Sequence, residues 1–162
     1  MIRLIVAIDS KRGMAKNGGM PWSIPDDEQY FTDQTKTFGG NVLTGKTTFV
    51  EAYKNKPLSD RQDFILTHDT EPIEAVTLVH DLDQFLNGFS DKDLWVAGGA
   101  NVFDQVMKAG KADELYITEI EGDFSCDQFF PDYSDFKLIR QSETKEQNGF
   151  KFTYKVYART TT

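Results

Sequence analysis

Cysteine occurs once in this chain, at Cys126, so neither an intrachain disulfide nor a thiolate zinc cluster is open to it. Long apolar runs are missing as well. None approaches the ~20 residues that cross a bilayer. The first nine residues, Met1-Ile2-Arg3-Leu4-Ile5-Val6-Ala7-Ile8-Asp9, are apolar but short. They run into an acid and then Lys11-Arg12, with no small-residue cleavage site, and read as a first strand, not a signal peptide. Positive charge is in deficit: 18 Lys and Arg stand against 26 Asp and Glu, a formal net charge of −8. A nucleic-acid partner is disfavoured, because phosphate backbones need a basic surface. An anionic small ligand stays possible, since a few local cations and backbone N–H groups can hold one phosphate. The expectation is a cytoplasmic protein with no membrane and no nucleic-acid partner.

What is present suits one domain spanning residues 1–162, with 39% hydrophobic and 27% charged residues. Short apolar, β-rich runs recur at Arg3–Ile8, Asn41–Thr44, Asp63–Thr67, Val76–Val79, Leu94–Ala97, Glu114–Ile120, Lys137–Gln141 and Lys151–Tyr157. Several are nearly continuous, as strands buried on both faces are. Helical segments are expected at Pro25–Thr35, Thr47–Tyr53, Leu82–Asn87 and Asn101–Ala109. This alternation predicts an α/β fold with a central, mostly parallel eight-stranded sheet flanked by about four helices. The strict alternation of Phe150–Tyr157 predicts an antiparallel C-terminal edge.

Gly13, Gly18, Gly19 and Pro21 lie in a long loop after the first strand, which reads as a lid anchored by Met20 and Trp22. Ser23-Ile24-Pro25-Asp26-Asp27-Glu28 then opens a helix, with proline at the first position and acids in the first turn. Asp27 shares a stripe with Ile24 and Phe31, while Asp26 and Glu28 are rotated away by about a quarter turn or more. An acid on a core-facing stripe needs a partner, and a heterocycle with adjacent N–H donors supplies one. Such a carboxylate is expected to have a raised pKa.

Gly40-Asn41-Val42-Leu43-Thr44-Gly45-Lys46-Thr47 satisfies the P-loop pattern G-x-x-x-x-G-K-[ST]. A P-loop-type NTPase is therefore an alternative. It is disfavoured because the strand-like residues lie between the glycines and not before them. The preferred reading is a strand, Gly45, and a helix opening at Lys46-Thr47-Thr48. Leu94-Trp95-Val96-Ala97-Gly98-Gly99-Ala100-Asn101 repeats that device, and two such strand ends suit a dinucleotide lying across the carboxyl edge of a sheet. His68, after Thr67, is a candidate for one further phosphate.

The run Met20-Pro21-Trp22-Ser23-Ile24-Pro25-Asp26-Asp27-Glu28-Gln29-Tyr30-Phe31 resembles the substrate-site motif of dihydrofolate reductases. Gly45-Lys46-Thr47-Thr48-Phe49, Pro57-Leu58-Ser59-Asp60-Arg61, Leu66-Thr67-His68, Ala97-Gly98-Gly99, Tyr116-Ile117-Thr118-Glu119-Ile120, Asp127 and Phe130-Pro131-Asp132 follow in family order and spacing. The resemblance implies NADPH-dependent reduction of 7,8-dihydrofolate to 5,6,7,8-tetrahydrofolate, by hydride transfer to pterin C6 with protonation at N5. It makes Asp27, Thr118 and Trp22 the catalytic group: Asp27 on the pterin 2-amino group and N3, Thr118 behind it, Trp22 holding a water. Because Asp27 would contact the far side of the ring, the N5 proton is expected to come from water. Ile5, Ala7, Phe31, Ala52, Leu58, Ala97 and Thr118 would line the substrate pocket, and Arg61 would pair with the substrate glutamate's α-carboxylate.

For the cofactor, the resemblance implies Lys46, Thr67 and His68 at the 2′-phosphate, with Leu66 beside them. Gly98, Gly99, Ala100, Asn101 and Val102 would lie at the pyrophosphate with Gly45, Thr47 and Thr48. Ala7, Ala97 and Phe103 would abut the nicotinamide, under a lid that includes Ala15 and Met20. No metal is expected, antifolate inhibitors are expected ligands, and a monomer is expected. A related reductase of another pterin or of a pyrimidine intermediate is the nearest alternative. The chain departs from the family pattern at five positions. Ala15 and Cys126 stand where glycine is usual and bear on lid mobility. Glu28 replaces an apolar residue and Ala52 a larger one, which bears on substrate and antifolate affinity. Lys46 replaces arginine and offers only a point charge, which bears on the preference for NADPH over NADH.

Overall fold

The computed structural model describes residues 1–160. Chain order gives β1 (Ile2–Ile8), β2 (Gly13–Ala15), α1 (Pro25–Thr35), β3 (Asn41–Gly45), α2 (Lys46–Glu51), β4 (Gln62–Leu66), β5 (Val76–Val79) and α3 (Leu82–Asn87). Then follow β6 (Leu94–Val96), α4 (Ala100–Lys108), β7 (Glu114–Ile120), β8 (Gln128–Phe129), β9 (Phe136–Gln141), β10 (Lys145–Gln147) and β11 (Phe150–Arg159). All eight expected strands and all four expected helices form. The main sheet runs β10-β11-β7-β1-β6-β3-β4-β5, and β9 shares the edge beyond β11 with β10.

From β7 to β5 every neighbour is parallel, and β11 joins β7 antiparallel. The apolar runs explain this. Leu94, Trp95 and Val96 are at most 1% exposed, because a parallel strand is covered on both faces. One face packs Leu4, Ile8, Leu43, Val96 and Leu115 against Val102, Phe103 and Val106 of α4 and Leu82 and Leu86 of α3. The opposite face packs Ile5, Val42, Trp95, Tyr116 and Val156 against Tyr30 and Phe31 of α1.

Chain order reverses direction across the sheet at β1. Its pairing with β6 stops at Leu4–Val96, while its pairing with β7 continues to Ala7–Thr118 and Ile8–Glu119. The sheet therefore opens between β1 and β6 at their carboxyl ends, the position where open α/β sheets take ligands. Among the described residues, no helix is long and apolar enough to cross a membrane.

The P-loop alternative fails on this topology. β3 occupies Asn41–Gly45, between the two glycines of the pattern, and Gly40 turns the chain before it at φ +69°. A second departure concerns the segment after β1, which is not structureless. β2 pairs antiparallel with β8, and Lys16 and Gly19 form a bridge closed by Asn17-Gly18 at φ 51° and 80°. Positive φ at both central residues marks the tight hairpin turn that Asn-Gly favours.

Candidate active site

Asp27 lies in the first turn of α1, where Ile24 precedes the helix without a side-chain cap and Pro25 opens it. The helical stripe turns Asp27 inward with Phe31, while Asp26 and Glu28 stay exposed. Beneath it on the sheet, Ala7, Thr118 and Tyr154 are register partners on β1, β7 and β11 and share one face. Thr118, 2% exposed, donates its hydroxyl to Asp27 Oδ1 at 2.6 Å. Burial raises the Asp27 carboxyl pKa to about 6; the Thr118 hydrogen bond opposes the rise and the Glu28 charge adds to it.

Trp22 sits beside this group, 5% exposed, packed with Ile24, Ile120 and Phe152 and edge-on to Phe124. Its Nε1–H is buried and finds no acceptor among the described residues. The helix start is braced from outside: Gln147 accepts from the Asp26 backbone N–H at 2.8 Å, and Asn148 donates to the Ser23 carbonyl at 3.0 Å. Tyr30 stacks on Tyr154 with ring centroids 4.0 Å apart.

The expected substrate residues fall on both walls of the opening. Ile5 and Ala7 form its floor on β1; Phe31, Leu58 and Ala97 pack into one cluster with Ile5, while Ala7 packs beside Trp22 and Ile24. Ala52 ends α2 and is exposed at the rim. Arg61 is aimed by two bonds, Nε to the Ser59 carbonyl at 2.9 Å and NH1 to Thr35 Oγ1 at 2.8 Å. Thr35 is itself fixed, fully buried and donating to the Phe31 carbonyl at 2.7 Å. Asp63, 5% exposed, holds the connecting loop by accepting the Leu58 N–H at 2.6 Å. Burial raises the Asp63 carboxyl pKa, against the Leu58 bond and the Arg61 charge.

The two strand–helix turns meet on the far side of the opening. Gly45 N–H donates to the Gly98 carbonyl at 2.8 Å, which joins the end of β3 to the turn before α4. The Gly98–Gly99 peptide is cis. A Cβ on Gly99 would stand 2.8 Å from Thr48 Oγ1, so any larger residue there must displace the Thr48 hydroxyl. Beyond this turn lies a cleft of about 530 Å³, lined by Lys46, Thr47, Thr48, Leu66, Thr67, His68, Ala100, Asn101 and Val102 among others. Gly99, which opens α4, makes no side-chain cap bond, leaving the first helical N–H groups free to meet an anion. A dinucleotide fits this arrangement: small residues where backbone must approach, and cationic and hydroxyl side chains where a phosphate would lie.

The lid is tied at its base and its tip. Asp9, 3% exposed, accepts from the N–H groups of Lys11 and Gly13 at 2.8 Å and of Phe124 at 3.1 Å. Burial alone would raise the Asp9 pKa, but these donors outweigh it and the pKa is lowered. Asp127 accepts the Asn17 N–H at 2.9 Å and donates its own N–H to the Ala15 carbonyl at 2.9 Å. Cys126 packs against Gly13, where a Cβ would come 2.5 Å from Cys126 Cβ.

Two expected placements are corrected. Phe103 is 0% exposed, its ring edge-on to Phe130 at 5.1 Å. It supports the double-glycine turn from below and presents no surface to a nicotinamide, because its position in α4 points into the core. Met20 is 54% exposed and does not anchor the lid, a task left to Trp22. Other contributors were missed. Glu51 and His80 also line this cleft of about 530 Å³, and Tyr154 completes the Asp27 cluster. The Phe152–Tyr154–Val156 alternation of β11 carried the signal for Tyr154, whereas nothing local marked Glu51 or His80.

Comparison with known proteins agrees with this geometry. The sequence model of the family "Dihydrofolate reductase" matches residues 1–159. A dihydrofolate reductase of Rattus norvegicus is 31% identical, covering 96% of this chain and 96% of the relative. One from Aedes albopictus is 28% identical over 95% of each. Among solved structures, dihydrofolate reductase from Enterococcus faecalis complexed with NADP(H) and RAB-propyl superposes with a TM-score of 0.85 at 26% identity, covering 98% of this chain and 96% of that one. A half-buried, inward-facing helix-start carboxylate over a split parallel sheet, facing two glycine turns, thus coincides with similarity along nearly the whole chain, and the chain belongs to the dihydrofolate reductase family.

Proposed function

We propose that Asp27, Thr118 and Trp22, at the opening between β1 and β6, carry out the reaction of this family, NADPH-dependent reduction of 7,8-dihydrofolate to 5,6,7,8-tetrahydrofolate. The chain is an NADPH-dependent oxidoreductase. The observation that carries the assignment of roles is the Asp27 carboxylate, turned inward over Thr118 with no ion-pair partner among the described residues. One ionised oxygen pair there can accept two parallel N–H bonds from the 2-amino group and N3 of a pterin, which fixes the ring's orientation. Thr118 holds the carboxylate in place, and the Trp22 N–H can hold a water beside it.

NADPH, when bound, supplies the hydride that reaches pterin C6. The protein's part is alignment of two rings and exclusion of bulk water. Ile5, Ala7, Phe31, Leu58 and Ala97 offer the apolar walls between which a flat ring stacks. The Arg61 fork, pinned through Nε and NH1, leaves NH2 for the substrate's α-carboxylate. Lys46, Thr67 and His68 receive the 2′-phosphate, and Gly98, Gly99 and the start of α4 receive the pyrophosphate. The hairpin tipped by Asn17-Gly18 covers the site. Since Asp27 meets the pterin edge remote from N5, the N5 proton comes from water. The same reading makes the chain one domain, a cytoplasmic monomer and a target for antifolates that mimic the pterin edge.

The test is loss of NADPH absorbance on adding dihydrofolate, for the wild-type chain and Asp27→Asn. Wild-type turnover with a strong fall in kcat/KM for the variant is expected. Turnover by Asp27→Asn equal to wild type would remove Asp27 from the site. Solvent isotope effects and pH–rate profiles on the same pair test the water route. A hydride-transfer pH profile unchanged in Asp27→Asn would mean that Asp27 plays no part in protonation.

A further inference from the structure

Lys46, which lines the proposed cofactor cleft, already has an anionic partner of its own. Lys46 Nζ lies 3.2 Å from Asp69 Oδ2, forming an ion pair with one-third of the lysine and just over half of the aspartate side chain exposed. The Asp69 backbone N–H donates to Thr67 Oγ1 at 3.1 Å. Two of the three groups assigned to the 2′-phosphate are thus already engaged by one residue. The engagements differ in sign. The backbone bond uses an acceptor site on the Thr67 hydroxyl and leaves its proton free to donate to a phosphate. The side-chain carboxylate neutralises Lys46 and would face a phosphate dianion directly. Glu51 places a carboxylate in the cleft lining itself, and His68 is exposed beside Asp69.

We propose that Asp69 is a specificity-determining residue, whose carboxylate competes with the cofactor 2′-phosphate for Lys46 and so weakens discrimination between NADPH and NADH. The proposal rests on the assignment of Lys46 to that phosphate. A dinucleotide bearing the phosphate must break the Lys46–Asp69 pair and approach the freed carboxylate; one lacking it leaves the pair intact. The penalty therefore falls on NADPH alone. It is compounded at Lys46, because an ammonium offers one charge at a time where a guanidinium fork could serve two partners.

The experiment measures KM and kcat with NADPH and with NADH, for wild type, Asp69→Asn, Asp69→Glu and Lys46→Ala. Asp69→Asn keeps the backbone bond and the side-chain size while removing the charge. It is expected to lower the NADPH KM about three- to tenfold, the scale of an exposed ion pair plus one repelled charge. The NADH KM should move by much less, and the gain should shrink as salt is raised. Asp69→Glu should resemble wild type. Equal changes for both dinucleotides in Asp69→Asn, or no change, would overturn the proposal while Lys46→Ala remains selective for NADPH. If Lys46→Ala instead weakens both dinucleotides alike, the 2′-phosphate assignment fails and the proposal falls with it.

Discussion

Asp27→Asn should stabilise the ligand-free protein at neutral pH, by an amount that depends on pH in a defined direction. Folding takes the Asp27 carboxyl out of water with one neutral hydroxyl as its hydrogen-bond donor. Its pKa rises from the ordinary 3.8 to about 6, chiefly through burial. The folded state therefore holds this proton more tightly than the unfolded state. Stability from this group is greatest below pH 3.8, falls as pH rises through the interval to about 6, and is level above it. At ~1.4 kcal/mol per tenfold in proton affinity, the full difference is roughly 3 kcal/mol, an upper bound for the gain from an amide that cannot ionise. The asparagine carbonyl can still accept from Thr118, so that bond is not lost.

The assay is urea unfolding of ligand-free wild type and Asp27→Asn at intervals between pH 4 and 8. The difference in unfolding free energy should widen in favour of the variant up to about pH 6 and then plateau. Because the Glu28 charge contributes to the rise, Glu28→Gln should shift the wild-type inflection to lower pH. A difference that stays constant with pH, or one that narrows, would refute the reasoning. The expected widening would mean that the carboxylate is maintained at the expense of the fold, as suits a binding group in a partly dry cleft.

Three further outcomes follow from close contacts and from the arginine fork. Gly99→Ala places a Cβ 2.8 Å from Thr48 Oγ1 and should cost about 1–3 kcal/mol in urea unfolding, whereas the same change in a Thr48→Ala background should cost much less. Gly13→Ala drives a Cβ to 2.5 Å from Cys126 Cβ, so it should lower the melting temperature, and Cys126→Gly should restore part of the loss; it leaves the 2.9 Å clash with Asp9 Oδ1. Arg61→Lys should raise the KM for dihydrofolate by about tenfold with little change in kcat, as loss of a charge-assisted fork implies. The same variant should treat a reduced pterin lacking the glutamate as wild type does, which steady-state kinetics on both substrates will check.

Much of the architecture was legible along the chain because the relevant signals are local. Apolar runs such as Leu94-Trp95-Val96 read as doubly covered strands, and they are buried on both faces. Pro25 at the helix start and the three-residue step from Ile24 to Asp27 separated the inward acid from its exposed neighbours. The hairpin after β1 also carries a local signal, Asn17-Gly18, whose positive φ at both residues suits a tight turn. β8 and β10 were not legible, since stretches of only two or three residues acquire strand geometry only from the partner they meet.

Sequence by itself determined which residues are candidates for the chemistry: residue type, helical phase and strand alternation are properties of neighbours along the chain. Only the tertiary structure decided which of them meet. Phe103 and Val102 are adjacent in α4, yet the first is sealed under the glycine turn and the second lines the cleft. Asp69 is an unremarkable loop acid until folding sets β3 beside β4 and brings its carboxylate to Lys46, 23 residues away. Burial, pairing and pKa arise from contacts between distant segments, and these are fixed when the sheet order is fixed.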